Sequence, residues 1–326
     1  MKIAVIGLGS MGKRRLRLLK TNFENVSICG IDLDEERRTL VENEFNVPTF
    51  KSIDDAIKNN GIEAVVISTS PLSHANIIME CLEKNLHVFT EINLVDSRYD
   101  EIISLAKEKD RVLFLSSTQL YRKEIEVIDE RVAKQQTRVN YTYHIGQYLP
   151  DWHPWESYKN FFVNDKRTNG CRELFTIELP WIIKVFGKIK KVTTVKDKIS
   201  TLDLSYDDTY MCIFEHENGN KGVMCVDVVA RRGVTNLEIY GEGMHVEWAG
   251  TPDSLMALDL ETKSFDNIAT YEDIEKDGRY AQNIIENPYL EELKVYVDKI
   301  NGNDRVKYTF EDDIETLRLI DEIEGN

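Results

Sequence analysis

The chain predicts an α/β fold in two parts: a parallel sheet covered by helices, then a second α/β domain with a large open, mostly antiparallel sheet. Three observations carry that reading. Strand-like and helical runs alternate through the first 118 residues, a glycine loop joins the first strand to the first helix, and beyond Arg122 the rhythm changes to alternation with period two. A length of 326 residues is about twice what one hydrophobic core fills comfortably, so two domains are expected, 1–119 and 120–326.

In order, Lys2 to Ile6, Val26 to Ile31, Ala64 to Ser68, His87 to Glu91 and Arg111 to Ser117 read as strands with helices between them. Leu16, Leu19 and Phe23 share one face of the first helix. Ser52 and Ser73 stand where N-caps are needed, and Ser52 has Asp55 three residues on, a variant of the capping box. Such β-α alternation implies a parallel sheet buried on both faces. A helix then runs to Lys134. From Thr137 to Gln147, Val139, Tyr141, Tyr143 and Ile145 alternate with Arg138, Asn140, Thr142 and His144, which gives a strand with two unlike faces. An aromatic loop, a helix around Cys171 to Phe186 and at least four alternating segments between Lys190 and Asp259 follow. Two amphipathic helices come last, one carrying Leu290, Leu293, Val297 and Ile300, the other Ile314, Leu317 and Ile320.

Composition narrows the function. A net charge of −16 argues against nucleic acid, because a polyanion is repelled unless a basic stripe is present. The cluster Lys13, Arg14, Arg15 and Arg17 reads as a solvated helix face near bound phosphates. No apolar run approaches the roughly 18 residues of a membrane span, and the first apolar run flows into a glycine loop as a strand does, not into a cleavage site. Five cysteines, an odd number with no C-x-x-C pair, read as reduced core residues of a cytoplasmic protein.

Gly7, Gly9 and Gly12 form G-x-G-x-x-G directly after a strand and directly before a helix. In that setting the first glycine permits the tight turn, the second lets backbone N–H groups approach a pyrophosphate, and the third lets the helix pack close. The loop residues Leu8, Ser10 and Met11 belong to the same cradle. Asp32, at the end of the second strand, has the carboxylate that accepts the adenosine ribose hydroxyls and repels a 2′-phosphate, so the expected cofactor is NAD; Arg37 and Arg38 could soften that preference. The first domain is thus a dinucleotide-binding Rossmann domain.

With Ser68-Thr69-Ser70-Pro71-Leu72-Ser73-His74 and His87-Val88-Phe89-Thr90-Glu91 following Gly7 to Gly12 in order, the chain resembles the glucose-fructose oxidoreductase, inositol dehydrogenase and MocA (Gfo/Idh/MocA) family. The usual forms there are T-P-x-x-x-H and H-V-x-x-E-K-P. The resemblance covers the whole chain in outline and implies that Ser68, Thr69, Ser70, Pro71, His74 and Glu91 serve the dinucleotide. Two departures stand out. Ile92 replaces the lysine that assists proton transfer in the family, and Asn93 replaces the proline. The family's second motif, a glycine pair with Asp and then His one turn on, would start at Gly170; its Asp falls on Leu174, or on Glu173 with a one-residue shift, and its His on Glu178. The acid/base apparatus is therefore missing or rebuilt, with His153, Glu178 and Glu173 as candidates in that order.

His144 to Trp155 packs two of the four tryptophans and two of the six histidines into one stretch. Tyr148, Trp152 and Trp155 suit the apolar faces of a sugar or a base, and Arg172 could meet a polar substrate group. Asp151 could hold His153 in one tautomer. Burial would raise Glu178 toward a useful range, although Pro180 leaves the helix path there open. Arg231 and Arg232 read as a solvated strand end. His144, Asp151 and His153 could hold a metal, but without H-E-x-x-H or a cysteine ligand set no metal is expected. The sequence thus points to an NAD-dependent oxidoreductase acting on a sugar or nucleotide sugar, as in surface-glycan biosynthesis. It is expected to be a homodimer or homotetramer through the open sheet, with no nucleic acid or membrane partner. The alternatives are an NAD-retaining epimerase, lyase or hydrolase, and a non-catalytic NAD-binding partner or sensor.

Overall fold

The computed structural model describes residues 1–153, 156–278 and 284–325. Two compact units emerge, one of Met1–Ser117 with Tyr289–Ile314, the other of Thr118–Pro288 with Glu315–Asn326. The first boundary falls two residues before the expected one, and 289–314, read from sequence as part of the second domain, rejoin the first unit.

In the first unit β1 (Lys2–Ile6), α1 (Ser10–Asn22), β2 (Ser27–Ile31), α2 (Glu35–Phe45), β3 (Thr49–Phe50), α3 (Ile53–Asn60), β4 (Ala64–Ile67), α4 (Pro71–Glu83), β5 (His87–Thr90), α5 (Tyr99–Glu108) and β6 (Leu113–Leu115) follow in turn. The six strands form a parallel sheet in the order β3-β2-β1-β4-β5-β6. Its centre is apolar on both faces: Ile3, Ala4 and Val5 of β1 and all of β4 are fully buried. Ser52 caps α3 as expected, accepting from Asp55 N at 3.1 Å and donating to its carboxylate at 2.7 Å. Ser73 does not cap α4: that helix begins at Pro71, whose fixed φ and missing N–H suit a first helical position.

The basic cluster on α1 is not a solvated face. Arg15 is fully buried and Arg14 is 3% exposed. Arg15 is bidentate to Glu91 (Nε–Oε1 2.6 Å, Nη2–Oε2 3.0 Å), and it donates to Glu292 (2.7 Å) and to the Tyr289 carbonyl (2.8 Å). Burial opposes the guanidinium charge, but the two carboxylates outweigh it and hold the pKa above its ordinary value. Glu292 also accepts from Ser116 Oγ (2.9 Å) and Ser117 N (2.7 Å). It lies on α8 (Asn287–Ile300), whose Tyr296 donates to the Val65 carbonyl at 3.1 Å and sets its ring edge against Phe89 at 5.6 Å. These contacts bring the late helix into the first core.

The second unit contains α6 (Lys123–Ala133), β7 (Asn140–Gly146), α7 (Gly170–Phe186), β8 (Ile189–Asp197), β9 (Thr209–His216), β10 (Lys221–Asp227), β11 (Val234–Gly241), β12 (Met244–Trp248), β13 (Met256–Leu258) and β14 (Phe265–Asn267). It also takes α9 (Phe310–Glu324) beyond Ile314. The eight strands run β14-β13-β12-β11-β7-β10-β9-β8; β7 and β10 are parallel and the other neighbours antiparallel. One face is buried, with Tyr141 stacked on Phe186 and Tyr143 edge-on to Trp181, both from α7. The other is open, with Val195, Met211, Ile213 and Val223 all exposed. Helix α7 runs unbroken through Pro180. Among the described residues no helix is long and apolar enough to cross a membrane. All five cysteines are free, four buried and Cys225 half-buried.

Removing one partner of a buried ion pair strands the other charge. Arg15→Ala is expected to lower unfolding free energy by about 3–5 kcal/mol. The double variant Arg15→Ala/Glu292→Ala should lose less than the sum of the single losses, with a coupling of at least about 0.5 kcal/mol. Urea unfolding of all four proteins measures this; strict additivity would show that the two groups do not act together.

Candidate functional site

The glycine loop sits where β1 leaves the sheet. Gly7 has φ +87°, in the left-handed region that favours glycine, and a Cβ there would lie 2.8 Å from the Ser68 carbonyl oxygen. A Cβ on Gly12 would lie 1.8 Å from the Gly7 carbonyl oxygen, so helix and loop touch without room for a side chain. Gly9 faces open space and is the N-cap of α1, which has no side-chain cap and no acidic residue in its first turn. Those first-turn N–H groups are therefore presented to an anion. Leu8 is fully buried and anchors the loop, while Ser10 is exposed and Met11 half-buried.

Asp32 is held with its oxygens separated, Oδ2 accepting from Leu8 N (2.8 Å) and Oδ1 from Asp34 N (2.9 Å). Of the two arginines that could receive a 2′-phosphate, Arg38 is hydrogen-bonded to the backbone and Arg37 is exposed beside two carboxylates. Arg38 donates to the carbonyls of Asp32 and Leu33 (2.8 and 3.0 Å), and Arg37 lies within 4 Å of the Asp32 and Asp34 carboxylates. After β4, Thr69 Oγ1 meets Ser73 Oγ at 2.7 Å, and Pro71 opens α4 behind the N-cap Ser70.

His74 is buried, with Nε2 at 3.0 Å from the Thr69 carbonyl and Nδ1 at 2.7 Å from the Asn93 side-chain amide. Burial lowers the His74 pKa, so the ring is neutral. With Nε2–H given to the carbonyl, Nδ1 is an acceptor and Asn93 must turn its NH2 toward it; the opposite orientation leaves Nδ2 buried without a partner. Asn93 was not among the expected site residues, and its replacement of a proline was the available signal. Glu91 and Ser68 lie at adjoining strand ends, 3.5 Å apart, with Glu91 committed to Arg15. The glycine cradle, the uncapped helix end and the ribose carboxylate fit a bound dinucleotide.

In the second unit Asn169 Oδ1 caps α7 by accepting from Arg172 N at 2.8 Å, which fixes the first turn. Glu173 stands in that turn. The residue is partly exposed, yet its Oε2 is shut from solvent with no hydrogen-bond partner, and burial pushes the carboxyl up to about 8. Glu178, one turn on, is saturated: Oε2 accepts from Tyr143 Oη (2.8 Å) and Trp181 Nε1 (2.5 Å), and Oε1 from Gln119 Nε2 (3.0 Å). Burial raises its pKa against those bonds, and it joins β7 to α7 in the core.

Arg172 departs from its expected role. Its guanidinium is ion-paired with Asp321 (2.8 Å) and Glu324 (2.5 Å) of α9 and buried, which leaves it committed to structure. His153 is half-buried, with its ring 4.3 Å from that of Phe161 and its pKa lowered by burial. Asp151 turns back to Tyr148 through its backbone N–H (2.9 Å). Trp152 is tied down by its Nε1 donating to the Gln147 carbonyl at 3.0 Å. Tyr148 lies under the Arg231 guanidinium at 4.0 Å, while Arg231 and Arg232 are both exposed, as expected of a solvated strand end. Trp155 lies outside the described residues. His144 meets Asp227 at 2.6 Å, with Cys225 beside them.

The first unit is a dinucleotide-binding Rossmann domain. Residues 1–117 match the model of the Gfo/Idh/MocA oxidoreductase family with NAD-binding Rossmann fold. That match covers about a third of the chain and identifies its first domain as one with the family's NAD-binding Rossmann fold. It is 26% identical over 137 residues to myo-inositol 2-dehydrogenase of Thermotoga maritima, a stretch that covers 40% of each chain. A solved structure of an oxidoreductase from Agrobacterium radiobacter in complex with NAD+, L-tartaric acid and magnesium shares the fold, with a TM-score of 0.80 over 100% of this chain and 96% of that one at 15% identity. UDP-N-acetylglucosamine 3-dehydrogenase from Acidithiobacillus ferrooxidans does so with a TM-score of 0.76 over 100% and 97% at 14% identity.

NAD is expected to bind at least about tenfold more tightly than NADP, a difference of 1.4 kcal/mol, and Asp32→Ala should bring the two toward parity. Gly12→Ala should weaken NAD at least about tenfold by forcing the loop from the helix. Calorimetry with both cofactors tests each; equal affinities in the unmodified protein would overturn the role given to Asp32.

Proposed function

We propose that the protein is an NAD-dependent oxidoreductase that interconverts a secondary alcohol and a ketone on a sugar or nucleotide sugar, with Glu173 as its acid/base. The observation that carries the reading is the Glu173 carboxyl, with Oε2 shut from solvent and without a hydrogen-bond partner, on the first turn of α7 and raised to about 8. A group poised near the working pH gives and takes protons with little penalty either way. Its position, one residue from where the family's acid falls, supports the same role.

The dinucleotide, when bound, supplies the hydride acceptor or donor. The chain's own residues handle the proton and the substrate. In oxidation the Glu173 carboxylate takes the hydroxyl proton; in reduction the protonated acid returns it to the alkoxide oxygen. Tyr148 and Trp152 offer aromatic faces to sugar carbons, with Arg231 above Tyr148 for a polar or anionic group. His153 is the second candidate, and Glu178 ranks last because its oxygens already accept three hydrogen bonds. The exposed row of Val195, Met211, Ile213 and Val223 supports assembly with a second copy through the open sheet.

Glu173→Gln is expected to lower turnover about 100-fold or more while NAD affinity stays unchanged. Because Glu173 is protonated below about 8, oxidation should speed up as pH rises through that value and reduction should slow; Glu173→Gln should remove the inflection. Steady-state kinetics in both directions over a panel of sugars, polyols and nucleotide sugars measures this. An unchanged profile in the variant would move the role to His153. Cofactor binding with no turnover of any substrate would favour the non-catalytic reading that Ile92 invites.

A further inference from the structure

His144, Cys225 and Asp227 bring an imidazole nitrogen, a thiol sulfur and a carboxylate oxygen within 4.8 Å of one another. They come from β7 and β10, the parallel pair at the middle of the second sheet. Cys225 is the cross-strand partner of His144, and Asp227 lies two residues on, on the same face. The carboxylate is aimed. Oδ1 accepts from the N–H groups of Val229 (2.9 Å) and Ala230 (2.7 Å), which leaves Oδ2 toward His144 Nε2 at 2.6 Å. Room for this exists because the residue opposite Asp227 is Gly146; a Cβ there would lie 2.5 Å from Oδ2. The His144 side chain is 39% exposed, so the cluster has a path to solvent.

We propose that these three side chains form a zinc site with water as the fourth ligand. The donors are the three kinds zinc takes, and a site of three protein ligands with one open position is the usual form when one side faces solvent. Bond lengths of about 2.0–2.3 Å place the ligand atoms of a tetrahedral ion roughly 3.3–3.7 Å apart. To take an ion, the His144–Asp227 contact at 2.6 Å would open by about 0.7 Å and the Cys225 thiol, within 4.8 Å of both, would close on the metal. The half-buried Cys225 thiol hydrogen-bonds the same imidazole that Asp227 meets, so all three donors converge on one point. The orientation of Asp227 by two backbone N–H groups is the support that metal-binding carboxylates need. A zinc ion here would link β7 to β10 just ahead of the loop that carries Tyr148 and Trp152.

The test uses the full chain. After loading with zinc chloride and dialysis, the unmodified protein is expected to retain about one zinc per chain. Cobalt(II) in its place should give the near-ultraviolet thiolate charge-transfer band and the visible bands of a tetrahedral ion. Cys225→Ser should abolish the charge-transfer band and weaken zinc at least tenfold, and Asp227→Asn should weaken it likewise. His245→Ala, in the separate group Glu238, His245 and Glu247, should leave both readouts unchanged. Cobalt binding to the unmodified protein without a thiolate band would overturn the proposal regardless of how the variants fold. So would zinc retention that survives Cys225→Ser but is lost in His245→Ala.

Discussion

The Arg15 guanidinium is the constraint on which the first unit depends. It sits on the helix that follows the glycine loop and is wholly buried. A cation there is tolerable only because Glu91 and Glu292 reach it from two other parts of the chain. The network fixes three things at once: the roll of α1 and with it the direction of the N–H groups at its start, the end of β5 at Glu91, and the seat of α8. Its geometry is specific because a guanidinium accepts carboxylates only along its fork. Apolar packing by Tyr296 and Phe89 gives the same helix much of its affinity for the sheet but less of its register.

Much of the first unit was legible because its signals are local. The strand before the loop, the loop and the helix after it lie within 22 residues, and the buried sheet writes itself as short apolar runs. The two-residue β3 left no periodic trace. The basic face of α1 was misread because charge on a helix normally means solvent. One of the two carboxylates that make burial tolerable, Glu292, stands 277 residues away. Non-adjacent partners are what a reading of windows cannot supply. The same holds for Arg172, whose carboxylates lie on the last helix, and for Asp227, which meets His144 only through the register of β7 and β10.

The acid/base candidates show a second limit. Glu173 and Glu178 are the same residue type five positions apart on one helix, and sequence favoured Glu178 for its match to a family position. Their surroundings differ completely: one carboxylate fills its lone pairs with Tyr143, Trp181 and Gln119, while the other keeps an oxygen buried and unanswered. A fully satisfied buried carboxylate is a strut, because moving its proton would break bonds that hold the core. An unsatisfied one is poised to accept a new partner at little structural expense. The loss of the family lysine at Ile92 is thus compatible with proton transfer from elsewhere, since chemistry asks for a group with the right pKa and freedom, not for a particular residue.

The return of α8 to the first sheet also has a consequence in time. During synthesis the strands β1 to β6 emerge first, but the sheet face that receives Tyr296 and the niche around Arg15 have no cover until residues 289–300 are made. The first unit therefore cannot close as an independent module while the rest of the chain is still on the ribosome. It must wait, with an apolar face and a buried-type cation open to water, through the synthesis of residues 118–288. Chains whose early segments wait for late ones are the natural clients of factors that shield nascent apolar surfaces, and they punish premature release with aggregation.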